Sequence, residues 1–400
     1  PLTYPGKSGA IHAVPRGVIA LITPWNFPIA IPLRTIVPAL LAGNAVVFKP
    51  SEHSPRAGAL IAKLFEGILP PDLLVLVQGA GDVGAALVAA GPDLVVFTGS
   101  VPTGRKIAEA AARALVPVSL ELGGKDAAIV LEDADLERAA RGIVWGAFNN
   151  AGQNCASIER VYVHERIAGP LVERMVALTR ELRVGQDVGP LTTRAQLEIV
   201  ERHVEDARQQ GAEVLCGGKA TGEGLLYLPT ILKIAAADEQ RYPVVTEETF
   251  GPVLPIIVVK TEEEAVQRAN DSRYGLTASI WTKKPSRGEQ LAERLRAGVV
   301  TVNNHGFTAA IAAAPWSGVG ESGFGVTNSK HALREFTRPR FVLVDKSSAR
   351  SELWWMPYTP SLVATVKAMS VLRSASRSLG EKLRALLMLL SNAPKRLMGK

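Results

Sequence analysis

Two residues of this 400-residue chain have the type and setting for covalent catalysis. Gly152-Gln153-Asn154-Cys155 follows a stretch of helical period. A cysteine in a glycine-led turn can be exposed, with its thiolate stabilised by nearby amide groups and dipoles. Glu121 ends the strand-like run Val116–Leu120 and is followed by Gly123 and Gly124. A carboxylate at a strand's C-terminal edge faces the crevice where α/β sheets bind ligands, and paired glycines let backbone approach closely. In Pro24-Trp25-Asn26-Phe27-Pro28 two prolines fix the loop, so Asn26 can be held rigidly as a donor to an oxyanion. Each has a plainer reading. A lone cysteine is more often a small buried hydrophobe, Glu121 can be a surface carboxylate beside a turn, and Asn26 a turn residue.

Other motifs suit a phosphorylated, sugar-bearing ligand. Phe97-Thr98-Gly99-Ser100 and then Gly104 reads as strand, tight turn and helix N-terminus, which holds a pyrophosphate on backbone N–H groups and a serine hydroxyl. Gly79-Ala80-Gly81-Asp82-Val83-Gly84 matches G-x-G-x-x-G, but no acidic residue about 20 positions on ends a following strand. It is read as a neighbouring turn lining the adenine side. Lys49-Pro50-Ser51-Glu52 closes a strand with a lysine and a glutamate that can both reach the hydroxyls of a ribose. Glu248-Thr249-Phe250-Gly251-Pro252 adds a carboxylate and an aromatic face. Alone, either pair reads more readily as solvated surface.

The elements that must carry these residues alternate in kind. Apolar, β-branched runs predict buried parallel strands at Gly17–Ile22, Ala45–Phe48, Leu73–Val77, Leu94–Thr98, Ala127–Leu131 and Val299–Val302. Alanine-rich stretches between them predict helices at Ala57–Leu69, Gly84–Ala90, Gly104–Leu115 and Leu136–Asn149. A second round follows, with helices at Gly169–Leu182 and Thr193–Gln210 and strands at Arg160–His164 and Pro255–Val259. Strand and helix in repetition predict an α/β fold with a doubly wound parallel sheet.

Composition excludes several classes. A 47% hydrophobic, 21% charged chain has enough apolar residues for a substantial core. Two cysteines argue against a disulfide scaffold and for a reducing, cytoplasmic setting. The net charge of +7 is uneven: residues 346–400 carry +8, leaving −1 for the rest, so a nucleic-acid-binding core has no support. That tail also has Trp354-Trp355 and a stretch, Ser361–Leu390, with leucines on one stripe. It is expected either to anchor on an anionic membrane surface or to pack on the body or a partner subunit. Its longest apolar run, Ala385–Leu390, is too short to span a bilayer. No G-x-S-x-G elbow appears, and the six histidines lack metal-ligand spacing, so neither a serine hydrolase nor a metal site is expected.

In their order and spacing, Pro24–Pro28, Lys49–Glu52, Gly99–Gly104, Glu121–Lys125, Gly152–Cys155, Glu248–Pro252 and Pro315–Gly325 resemble the aldehyde dehydrogenase superfamily over roughly residues 10–345. The resemblance implies a Rossmann-like cofactor domain, a second α/β catalytic domain and small oligomerisation strands. Their expected limits are 1–125 (with oligomerisation strands about 8–20), 126–325 and 326–345 (a return segment and oligomerisation strand), with the basic amphipathic tail at 346–400. It implies oxidation of an aldehyde to a carboxylic acid with NAD. Cys155 attacks the carbonyl, Asn26 and the Cys155 N–H hold the oxyanion, and Glu121 activates the water that hydrolyses the thioester. The implied cofactor residues are Thr23, Pro24, Trp25, Lys49, Ser51, Glu52, Gly81, Gly99, Ser100, Gly104, Leu122, Gly123, Glu248 and Phe250. Among them Lys49 and Glu52 take the adenosine ribose, Ser100 the pyrophosphate, Glu248 the nicotinamide ribose, and Phe250 packs beside the nicotinamide. A carboxylate at position 52 repels a 2′-phosphate, favouring NAD over NADP. A homodimer or higher homo-oligomer is implied as well.

Departures from the family pattern remain. Pro315-Trp316-Ser317-Gly318 stands where the family usually has Pro-Phe-Gly-Gly, which leaves the lining of the substrate entrance open. Family members carry a substantial segment before the point matching Pro1, so the chain is expected to be N-terminally truncated. Trp145 and Phe148 either wall an apolar channel or belong to helix core. A CoA-acylating relative is the alternative enzyme, against which Glu121 argues. A folded but inactive binding relative is the other, against which the presence of both Cys155 and Glu121 argues.

Overall fold

The computed structural model describes residues 6–352 and 354–398; the outermost limits of the expected first and last segments lie outside them. The chain forms two compact units, Ala13–Arg338 and a smaller one joining Pro1–His12 to Pro339–Lys400.

In the large unit the first sheet grows from its middle. Val18–Ile22 is laid down centrally, Ala45–Lys49 and Leu74–Leu76 add on one side, and the chain then returns to add Leu94–Thr98 and Val118–Glu121 on the other. All of these pair in parallel, and the short Gly323–Phe324 closes the edge antiparallel to Val118–Glu121. The two-residue period of the strands explains the layers. Ile19 and Leu21 pack on one face with Ile36, Ala39 and Ile61, from the helices Ala30–Leu41 and Pro55–Leu64. Ala20 and Ile22 pack on the other with Val88, Val101 and Ile107, from Gly81–Ala89 and Val101–Arg113. The expected doubly wound sheet is therefore present.

A second sheet runs in the order Val299–Val302, Thr277–Trp281, Asp126–Val130, Ile158–His164, Val253–Val259, Thr230–Ile234 and Glu213–Cys216, parallel except for the last pair. Thr230–Ile234 and Thr277–Trp281 are strands that apolar patterning misses; in the second, polar residues lie in the core. Thr277 and Ser279 are buried with their hydroxyls satisfied: that of Thr277 donates to Asp126 at 2.5 Å and that of Ser279 accepts from the Trp281 indole at 3.2 Å. The helix Ala30–Leu41 was also hidden, by Pro32 and Pro38. Pro32 falls in the first turn, where no amide hydrogen is required, and the helix continues through Pro38. Ala57–Leu69 is corrected to Pro55–Leu64, after which the chain turns.

In the small unit the expected single stretch Ser361–Leu390 is two helices, Pro360–Arg373 and Leu379–Leu397, packed on one another. Ser378 and Glu381 explain the restart. The Ser378 hydroxyl accepts from the Glu381 amide at 3.3 Å while the Glu381 carboxylate accepts from the Ser378 amide at 2.8 Å, a reciprocal cap. Gly380, which in the sequence looks like the interruption, lies within the second helix.

Candidate active site

The order of the first sheet reverses between Val18–Ile22 and Leu94–Thr98. Loops leaving the carboxyl ends of two such strands diverge and open a crevice. Here it has a volume of about 1060 Å³ and is lined by Thr23, Pro24, Trp25 and Asn26 after one strand and by Gly99 and Ser100 after the other. Lys49, Ser51, Glu52, Gly81, Leu122, Gly123, Glu248, Phe250 and Cys155 also line it. Gly104 does not. It sits a turn into its helix, where an added Cβ would lie 2.6 Å from the Leu122 side chain, so its absence of a side chain serves helix-on-strand packing. The helix Val101–Arg113 begins at Ser100 without a side-chain cap, and the Thr23 hydroxyl is buried without a protein partner. Free amide hydrogens and an unmatched hydroxyl on a crevice wall fit a dinucleotide.

Cys155 enters from the second sheet's side. The helix Leu136–Phe148 ends in a turn in which Asn150, Ala151 and Gly152 all take positive φ, of 53°, 56° and 71°. At Gly152 a Cβ would lie 2.1 Å from the Gly251 carbonyl oxygen, so both the conformation and the close approach require glycine. Asn26 donates from Nδ2 to the Gln153 carbonyl at 3.1 Å, which ties the Pro24–Pro28 loop to the turn beside the cysteine. His305, buried, hydrogen-bonds through Nε2 to the Ala156 carbonyl at 2.6 Å, just after Cys155.

Cys155 Sγ lies 3.9 Å from Glu121 Oε1. Burial first, and then the Glu121 charge, push the thiol well above its ordinary value, against which the Arg34 charge acts. Glu121 itself, 8% exposed, is held on both oxygens: Arg34 Nη2 donates to Oε2 at 2.6 Å and Trp316 Nε1 to Oε1 at 2.9 Å.

The Glu248–Pro252 loop is anchored from beneath. Fully buried Lys125 pairs with Glu159 at 2.5 Å, and Glu159 accepts from the Thr249 and Phe250 amides at 2.8 and 2.9 Å. Phe250, at φ 49°, meets Trp25 edge-on with ring centroids 5.6 Å apart. Glu248 accepts from the Gly124 amide at 3.0 Å, and burial, with Glu159 next, raises its carboxyl to about 8. A Cβ on Gly123 would lie 2.1 Å from the Glu248 carboxylate, which is the close approach the glycine pair permits.

Sequence reading passed over Arg34, Lys125 and Glu159, and treated Trp316 only as a departure at the substrate entrance. Arg34 lies in the helix the prolines concealed, and Trp316 is 195 positions from the carboxylate it touches. Phe148 is helix core at 2% exposure, whereas Trp145 on the same helix is exposed.

A doubly wound sheet with a crevice at its switch point, beside a second parallel sheet carrying a reactive side chain to its rim, is the architecture of a dinucleotide-dependent α/β enzyme. The chain belongs to the aldehyde dehydrogenase family, whose description matches residues 1–342. The 4,4'-diapolycopene aldehyde oxidase of Methylomonas sp is 40% identical over 366 residues, covering 90% of this chain and 68% of that protein. A Mycobacterium tuberculosis relative whose name carries succinate-semialdehyde dehydrogenase and NADP(+) is 39% identical, covering 82% of this chain and 65% of its own length. The chain thus spans about two thirds of the length of these curated relatives. The structure of betaine aldehyde dehydrogenase from Staphylococcus aureus in complex with NAD+ is 31% identical, with a TM-score of 0.83, covering 88% of this chain and 72% of that one. The family and the fold expected from the sequence are both met.

Proposed function

We propose that this chain oxidises an aldehyde to its carboxylic acid with NAD. The observation that carries the reading is the approach of Cys155 Sγ to Glu121 Oε1, 3.9 Å apart beside a dinucleotide-sized crevice. The Cys155 proton passes to a base, for which Glu121 is within reach through a small shift or one water, and the sulfur adds to the aldehyde carbonyl. The Asn26 side-chain amide and the Cys155 N–H take the negative oxygen of the thiohemiacetal. NAD, when bound, supplies the acceptor for the hydride leaving the former aldehyde carbon. The resulting thioester on Cys155 is hydrolysed by water that gives its proton to Glu121, releasing the acid and the thiol. Thr23, Lys49, Ser51, Glu52, Ser100, Glu248 and Phe250 are the side chains assigned to the cofactor, and the first sheet with its helices to the cofactor domain. Similarity to an enzyme determined with NAD+ supports the coenzyme, as does the Glu52 carboxylate.

For the substrate, the apolar residues near Cys155 bear on the choice of aldehyde. Ala309 and Cys155 pack against the same apolar cluster of Ala156, Leu276 and Trp316, and Trp145, Phe307 and Ile311 are exposed. With the similarity to a diapolycopene aldehyde oxidase, this favours an apolar aldehyde. Self-association is assigned to Lys7–Pro15 and Thr337–Asp345, a two-stranded sheet that leaves Ile11, Phe341 and Leu343 exposed. The tail is assigned to an anionic membrane surface. No described helix is long and apolar enough to cross a membrane, but Leu379, Leu383, Leu387 and Leu390 are exposed among basic residues.

Rapid mixing with aldehyde and NAD tests the chemistry. Cys155→Ala is expected to form no NADH, while Cys216→Ala, remote from the crevice, keeps activity. Glu121→Gln is expected to give a burst of NADH followed by a steady state slower by about 10²–10⁴-fold. Turnover by Cys155→Ala, or equal slowing of both phases in Glu121→Gln, overturns the assignment. Turnover that requires added CoA makes the enzyme an acylating one.

A further inference from the structure

We infer that Arg34 and Trp316 are positioning residues that orient Glu121 for thioester hydrolysis; the inference rests on Glu121 being the base of that step. A glutamate carboxylate turns freely about its last bond unless both oxygens are held. Here Arg34 Nη2 holds Oε2 at 2.6 Å and Trp316 Nε1 holds Oε1 at 2.9 Å, and Oε1 is the oxygen 3.9 Å from Cys155 Sγ. The donors are far apart in sequence, one on the helix Ala30–Leu41 and the other on the segment pairing Trp316 with Thr327.

They also brace each other. The Arg34 guanidinium lies over the Trp316 ring, 5.6 Å from its centroid. Arg34 Nε is buried without a partner, so the guanidinium is placed by Glu121 and the indole face. A phenylalanine at position 316 could fill the indole's space but has no N–H, so this chain's tryptophan adds a bond that ring packing alone would not. With Oε2 occupied by the cation, Oε1 is the oxygen nearer the sulfur, and so nearer the carbonyl carbon of a thioester formed there, which the water attacks. The clamp thus selects one oxygen and one direction for the base.

The test compares burst and steady-state NADH formation in Trp316→Phe, Arg34→Met and Arg34→Lys, with Glu121→Gln measured alongside. Trp316→Phe and Arg34→Met are expected to keep the burst and to lose about 10-fold or more in the steady state, the value of a hydrogen bond to a charged group. Arg34→Lys, which keeps the cation, is expected to recover part of that loss, as a merely structural role would not. Unchanged or faster steady states in both Trp316→Phe and Arg34→Met overturn the inference, as does slowing confined to the burst. If Glu121→Gln itself shows no burst, the failure belongs to the assignment of the base and not to the clamp.

Discussion

At position 52 a half-exposed carboxylate stands 3.8 Å from the Lys49 ammonium, on the wall of the crevice. Lys49 is nearly buried and also donates to the Pro50 carbonyl at 3.1 Å, so the cation is fixed while the carboxylate faces solvent and ligand. Two hydroxyls of a ribose can be shared between such a pair, whereas a 2′-phosphate would meet the carboxylate's charge. Glu52→Gln is expected to raise kcat/KM with NADP relative to NAD, and an unchanged ratio removes Glu52 from coenzyme choice. Among curated relatives, one whose name carries NADP(+) makes the comparison informative.

The elements beside Cys155 are joined by His305, whose neutral ring is part of the packing. Burial lowers it from 6.5 to about 4, against the Ala156 carbonyl, which favours the cation. Its protonated form is thus disfavoured in the folded chain and free to form in the unfolded one. The stability due to this group is complete above pH 6.5 and is lost as pH falls from there toward 4, by at most about 1.4 kcal/mol per pH unit. His305→Gln has no proton to gain, so its stability deficit relative to the parent is expected to shrink between about pH 7.5 and about pH 4.5. Denaturant titrations at the two pH values check this, and a constant deficit means the ring titrates alike folded and unfolded.

Across the whole molecule the charge is concentrated at one end of the sequence, and the small unit gives it a shape. Lys367 on the first tail helix and Arg384 on the second are both exposed, as are Trp354 and Trp355. Basic residues at an anionic lipid surface contribute about 1 kcal/mol each, and tryptophans favour the interface. The full chain is expected to sediment with vesicles containing anionic lipid and less so as salt rises. The double variant Lys367→Glu and Arg384→Glu should bind more than about tenfold more weakly. Equal sedimentation of parent and variant, or binding that ignores lipid charge, leaves the helices as packing elements.

Much of this enzyme is written in local pattern. Strands such as Leu94–Thr98 and Val299–Val302 were placed to the residue because five- or four-residue apolar runs between glycines and helices admit one local solution. Cys155, Asn26 and the Gly123-Gly124 pair were legible because turns demand particular residue types at fixed spacing. Local pattern says nothing about which partner waits across the fold. Arg34 and Trp316 reach Glu121 from 87 and 195 positions away, and Lys125 supports Phe250 through Glu159, contacts that exist only once strands, helices and loops distant in sequence have assembled. The upward push on the Cys155 thiol arises at the same level, because burial and a neighbouring carboxylate are properties of the assembled site.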